Sequence, residues 1–245
     1  MPRQPRLPPA GLRSRSWLWC AGLLALTACE GSDPVATPTA EVRGEILYPP
    51  TSGTVTFQAM TGQNAGTDLV QFMVRPDGQY VVNFPWPAEL SAPGSLDVLP
   101  VFPSVAALGL YSGTCASAVQ AQPQGARLAL VRQGTFAQAG TVRGQILPAA
   151  QVLGSMGPQN LSVTTRQYLY ADRAMQVTGQ FGCTFRTAAG LSLPAQVTVD
   201  YALGPGWNVL TEQTWLEDQG RALHTRFTAQ PGATPVQWRY WPSGQ

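Results

Sequence analysis

The chain of 245 residues contains no lysine: all fifteen basic residues are arginines. Charged residues make up only 11% of it, against about 25% for an ordinary soluble domain. No stretch reaches the five or six like charges of a nucleic-acid-binding tail, so nucleic acid is not an expected partner. There is one histidine, His224. It and a few isolated cysteines cannot supply four ligands at zinc-site spacing. Neither a phosphate-binding loop nor an Asp-x-Asp calcium loop is present. The Gly-x-Ser-x-Gly elbow is missing too; Gly109-Leu110-Tyr111-Ser112-Gly113 carries its serine one place late. The absent lysine removes Ser–Lys dyads and Schiff bases. Neither a metal nor a cofactor is expected. Glu and Leu are too sparse, and the 3.6-residue period too weak, for a coiled coil or helical bundle.

What the chain does have begins at its N-terminus. Met1–Ser16 holds Arg3, Arg6, Arg13 and Arg15 and no acid, and the apolar stretch Trp17–Ala28 follows. That stretch falls short of the ~20 residues needed to span a bilayer. A basic segment followed by a short apolar one is the pattern of a secretory signal. Its end, Leu26-Thr27-Ala28-Cys29, resembles the lipobox of bacterial lipoproteins. The resemblance implies cleavage after Ala28, lipidation of Cys29 and residence in the cell envelope. The membrane partner would then be reached through the lipid, and two acyl chains anchor stably where one does not. Ordinary cleavage near Ala28, leaving Cys29 a thiol, is the competing reading.

Removing residues 1–28 takes four of the fifteen arginines and none of the thirteen acids, which turns the formal charge from +2 to −2. The basicity belongs to the targeting segment. Cys20 leaves with it. With Cys29 lipidated, Cys115 and Cys183 remain in an oxidising compartment, and a disulfide between them is expected. Glu30–Ala40 is rich in Pro, Gly, Ser and Thr without apolar periodicity. Residues 29–40 therefore read as a flexible tether.

Beyond the tether the apolar period is two. Val42–Leu47, Thr54–Ala59, Leu69–Val74 and Gln79–Phe84 read as strands, with Pro76-Asp77-Gly78 as a hairpin turn. Pro85–Pro103, dense in proline, reads as an irregular crossover or edge segment, and Ala126–Gln133 as a further strand. Met175–Phe185 and Leu191–Leu203 alternate cleanly, with Cys183 on the apolar parity. Such alternation indicates antiparallel sheets with one face buried. Leu203-Gly204-Pro205-Gly206 turns into Trp207–Leu216. Glu217-Asp218-Gln219-Gly220 turns into Arg221–Thr228, and Val236–Trp241 ends the run.

Val42-Arg43-Gly44-Glu45-Ile46-Leu47 returns as Val142-Arg143-Gly144-Gln145-Ile146-Leu147. A period near 100 residues is the size of a β-sandwich module. The fold expected is therefore all-β, with two sandwich-like antiparallel modules, residues 41–135 and 140–245.

The Val-Arg-Gly-x-Ile-Leu opening and Val74-Arg75-Pro76-Asp77-Gly78-Gln79-Tyr80 are similar to transthyretin-like modules of the carboxypeptidase-regulatory type. Tyr168-Leu169-Tyr170-Ala171-Asp172-Arg173, Val177-Thr178-Gly179 and Gly206-Trp207-Asn208-Val209 resemble the β-rich halves of uncharacterised bacterial envelope lipoproteins. The second resemblance implies no activity.

No residue is singled out as catalytic. His224 sits on the polar parity of its strand, opposite Leu223 and Phe227. Asp77, Glu217 and Asp218 fall in turns, where acids serve the backbone. Aromatics alone could mark a site. Trp207, Trp215, Trp238 and Tyr240 form a candidate binding face for a glycan or an envelope protein, or else the large residues of a core between sheets. The function expected is a non-enzymatic structural or binding role at the envelope. The alternative is a hydrolase of envelope carbohydrate, which needs two carboxylates flanking a cleft.

Overall fold

The structure, a computed structural model, describes residues 40–49, 51–60, 66–85, 92–93, 110–115, 119–153, 162–187, 190–217, 221–232 and 234–243. The expected signal segment, Cys29 and nearly all of the expected tether lie outside these, as does most of the proline-rich stretch 85–103. The described residues form one compact unit.

Every regular element among the described residues is a strand. In order they are β1 (Ala40–Leu47), β2 (Gly53–Met60), β3 (Thr67–Val74), β4 (Gln79–Phe84), β5 (Ala92–Pro93), β6 (Leu110–Cys115), β7 (Gln120–Gln122) and β8 (Arg127–Gln138). There follow β9 (Thr141–Pro148), β10 (Gln151–Leu153), β11 (Ser162–Ala171), β12 (Met175–Thr187), β13 (Ser192–Leu203), β14 (Gly206–Glu217), β15 (Ala222–Pro231) and β16 (Gln237–Pro242). The all-β expectation holds. The Pro76-Asp77-Gly78 turn forms: Gly78 takes φ +82°, its N–H reaches Arg75 O at 2.9 Å, and the Asp77 carboxylate accepts the Gln79 N–H at 3.0 Å. The expected hairpin does not, because the strands leaving the turn pair elsewhere, β3 with β2 and β4 with β1.

The sheet is mixed, not purely antiparallel. Its main path runs β4-β1-β16-β9-β8-β11-β14-β15-β13-β12-β6, with β2, β3, β5, β7 and β10 branching from it. β1 pairs with β16 in parallel, and so does β13 with β15. Period-two alternation reports which face is buried and is blind to strand direction, so these two pairings left no mark in the sequence.

Two hydrophobic cores are present, but they do not divide the chain between residues 135 and 140. That point falls at the end of the long strand β8, which turns back as β9 through Ala139 and Gly140. The first core is enclosed by β8, β2, β3, β4, β1, β16 and β9, an open ring whose gap lies between β3 and β4. Phe57 sits near its middle, with ring centroids 4.6 Å from Trp238, 5.0 Å from Phe72 and 6.0 Å from Phe84. The second core is enclosed by β8, β11, β14, β15, β13 and β12 and holds Leu130, Val177, Phe185, Val197, Leu223 and Phe227.

The cores share a wall. Leu128–Val131 of β8, Tyr168–Ala171 of β11 and Gly206–Leu210 of β14 are buried on both faces and lie side by side in register, Tyr170 opposite Ala129 on one flank and Trp207 on the other. Ala129, Val131, Tyr168, Tyr170, Trp207 and Val209 point into the first core. Leu128, Leu130, Leu169, Ala171 and Leu210 point into the second.

The repeated hexapeptide also has a place. β1 and β9 flank the same strand, β16, on its two edges. Gly44 lies beneath the Tyr80 ring, and Gly144 beneath Tyr240 and the backbone of Trp241. A β-carbon at either glycine would overlap those atoms, so both copies need glycine for the same reason, a ring from a neighbouring strand laid across the backbone.

Candidate functional site

The four aromatic residues that could have made a binding face or a core do not form one surface. Trp238 is fully buried and Trp207 is 4% exposed; both belong to the first core. The Trp207 indole N–H donates to Pro85 O at 3.2 Å, which ends the search for a partner that a buried indole requires. Tyr240 is half-buried, with its hydroxyl donating to Arg143 O at 3.0 Å and its ring 5.2 Å from Phe136. Trp215 lies eight residues further along β14 than Trp207, on the outer face of the sheet. The burial of Trp207 and Trp238 follows from the ring geometry: strands that curl around a wide interior need large side chains to fill it.

Trp215 stacks on the histidine. It lies directly opposite His224 on β15, with ring centroids 5.7 Å apart and planes at 21°. Glu217 ties the pair together: one carboxylate oxygen accepts the Trp215 indole N–H at 2.8 Å, the other lies 3.0 Å from His224 Nε2. The outer-face parity read for His224 is correct, but the ring is only half-exposed. This cluster sits in a polar sheet face carrying Thr164, Gln196, Thr198, Gln213 and Arg226.

The second core contains polar groups that sequence reading missed. Glu212 is 1% exposed on β14 and accepts the Thr165 hydroxyl at 3.0 Å. Thr214 and Thr225, also buried, share a 2.8 Å hydrogen bond. Gln167 Oε1 and Tyr201 Oη are buried without a hydrogen-bond partner. The alternation on β14 was visible, but Glu212 occupies an apolar parity slot, and only that anomaly could have flagged it. Of the described carboxylates it alone is interior. A glycosidase would need a second one across a cleft.

Tyrosine hydroxyls in both cores titrate late. Burial pushes Tyr168 up to about 12, against the opposing effect of the Val236 N–H that donates to its oxygen at 3.0 Å. Burial raises Tyr80 well above the usual tyrosine range, reinforced by the neighbouring Tyr168, and burial raises Tyr201. On the surface, Arg173 and then the Arg127 N–H hold Asp172 below the usual carboxylate range.

The expected disulfide is present: Cys115 and Cys183 are bonded, directly opposite each other on β6 and β12 with Cα atoms 4.2 Å apart. A cavity of about 430 Å³ opens between β7 and β8, lined by Gln120, Gln122, Gln124, Leu128 and Met175 among others.

A second aromatic cluster lies on the surface. Tyr48, 74% exposed, and Trp241, 47% exposed, both contact Arg239, whose Cζ lies 5.6 Å and 5.0 Å from their ring centroids. Comparison with family models, curated proteins and solved structures gives no match to this chain.

Proposed function

We propose that the chain is exported, anchored to a membrane of the cell envelope by a lipid on Cys29, and serves there as a structural or binding protein. The observation that carries this is the N-terminal order of basic segment, twelve-residue apolar segment and Leu26-Thr27-Ala28-Cys29. The Cys115–Cys183 disulfide supports it, because such bonds persist in exported proteins and are rare in the reducing cytosol. β1 begins at Ala40, eleven residues after Cys29, so a tether of that length would let the β body stand at most roughly 36 Å from the lipid.

Replacing Cys29 with Ala tests the anchor. The parent is expected in the membrane fraction, released only by detergent, with a mature mass raised by acyl groups. The Cys29→Ala variant is expected to stay unprocessed or to leave the membrane fraction without detergent. A variant processed and retained as the parent is would remove the proposal.

A further inference from the structure

We propose that Tyr48, Arg239 and Trp241 form a binding site for a carboxylate-bearing saccharide, a uronic-acid-type unit of an acidic glycan. The inference rests on the reading of the protein as an envelope binding protein and names the ligand class.

The site is built on the outer faces of β1 and β16. Along β16, Trp238 points into the first core while Arg239 and Trp241 point outward. Arg239 lies opposite Leu47 of β1, and Tyr48 follows immediately at the end of that strand. Tyr48 adopts φ +59°, a left-handed conformation that a bulky residue rarely takes. That backbone places a largely exposed ring against the guanidinium. Nothing in the core gains from it, since the ring is 74% exposed.

Arg239 makes no ion pair or hydrogen bond among the described residues; its contacts are the two rings. A guanidinium positioned by aromatic rings keeps its five N–H donors free, and these match a carboxylate in a two-pronged arrangement. The rings supply the other half of the recognition: flat aromatic surface open to solvent suits the apolar C–H face of a pyranose.

The charges around the site favour an anion. On the same outer faces, Arg43 is neutralised by Glu41 at 2.8 Å. One Glu45 oxygen accepts the Gln237 amide at 3.1 Å. Arg143 is exposed, two residues along β9 from Gln145, which lies opposite Trp241. One arginine thus touches Trp241 and a second lies on the neighbouring strand, against one carboxylate already engaged by Gln237. A neutral sugar accepts hydrogen bonds from the Arg239 guanidinium through its hydroxyls but leaves the positive charge unpaired, whereas a carboxylate satisfies both.

The test uses the full-length protein in detergent, sedimented with an insoluble polyuronate gel and, in parallel, with a neutral polyglucose gel. The parent is expected on the polyuronate and not on the polyglucose, and to be eluted by free galacturonate but not by inorganic phosphate at equal concentration. Arg239→Gln and Trp241→Ala are each expected to weaken retention roughly tenfold, the effect of losing one charged hydrogen-bonding or stacking partner. Arg239→Lys is expected to fall between, since it keeps the charge and loses the fork. All variants should match the parent in thermal midpoint, because the residues are exposed. Equal retention on both gels, elution by phosphate, no retention of the parent, or variants that bind as the parent does would each overturn the inference. The outcome is separable from the anchoring proposal, which is decided by the fate of Cys29→Ala whatever the gels show.

Discussion

Trp238 shows how much one side chain can carry. It is fully buried, sits 4.6 Å from Phe57 and 6.2 Å from Tyr168 by ring centroid, and belongs to a strand hydrogen-bonded on both edges, to β1 and β9. Truncating it leaves a cavity the size of an indole in the middle of an aromatic cluster that cannot collapse, since its neighbours are themselves rigid rings. Trp238→Ala is expected to cost roughly 3–5 kcal/mol, read as a large drop in thermal midpoint beside the parent. Trp241→Ala, two residues on but facing solvent, should move the midpoint little. If the two variants melt alike, the in–out alternation of β16 described above is wrong. The sequence carried the parity that separates these residues but not the sign: Trp238 and Tyr240 sharing a face fits either a binding surface or a core, and only the curvature of the neighbouring strands decides which.

At the scale of single elements, the disulfide joins β6 to β12 where their ladder shifts register, the bridge at Cys115–Cys183 giving way to Phe185 opposite Ser112. β6 is otherwise attached through a single edge of the path. The covalent link therefore acts on an edge strand, and its effect is felt through the unfolded chain, which it shortens by a loop of 68 residues. Loss of the bond in Cys115→Ser is expected to cost about 2–4 kcal/mol. Intact mass after alkylation should show no reactive thiol at Cys115 or Cys183 in the unreduced, denatured parent and two after reduction; two reactive thiols without reductant would contradict the bond. The strands themselves were legible wherever one face is buried and the other wet, as on β12 and β13. They were less legible at the shared wall. Leu128-Ala129-Leu130-Val131 and Tyr168-Leu169-Tyr170-Ala171 are continuous apolar runs, the mark of strands buried on both faces. Had those runs been given that meaning, two cores divided by a common layer would have been the natural expectation, in place of two modules in sequence. The interior Glu212 was illegible for a different reason: its parity says core and its chemistry says surface, and spacing cannot arbitrate between them.

For the molecule as a whole, the order of strands forces coupling that the chain order hides. The last strand, β16, fills the position between β1 and β9, so the first core cannot close until the C-terminus arrives. The wall of β8, β11 and β14 then presents one face to each core. Unfolding the first core would bare Ala129, Val131, Tyr168, Tyr170, Trp207 and Val209 on the wall, and unfolding the second would bare the alternate residues of the same strands. Neither core can lose its structure and leave the other with a dry wall and intact ladders. Calorimetry of the full chain should therefore show one transition, with the van't Hoff enthalpy equal to the calorimetric one. A chain ending at Val236, lacking β16, should lose that transition entirely and not retain a second-core remnant. Two resolved transitions in the parent, or a cooperative melt surviving in the truncated chain, would mean that the wall does not couple the cores and that they fold as independent units after all.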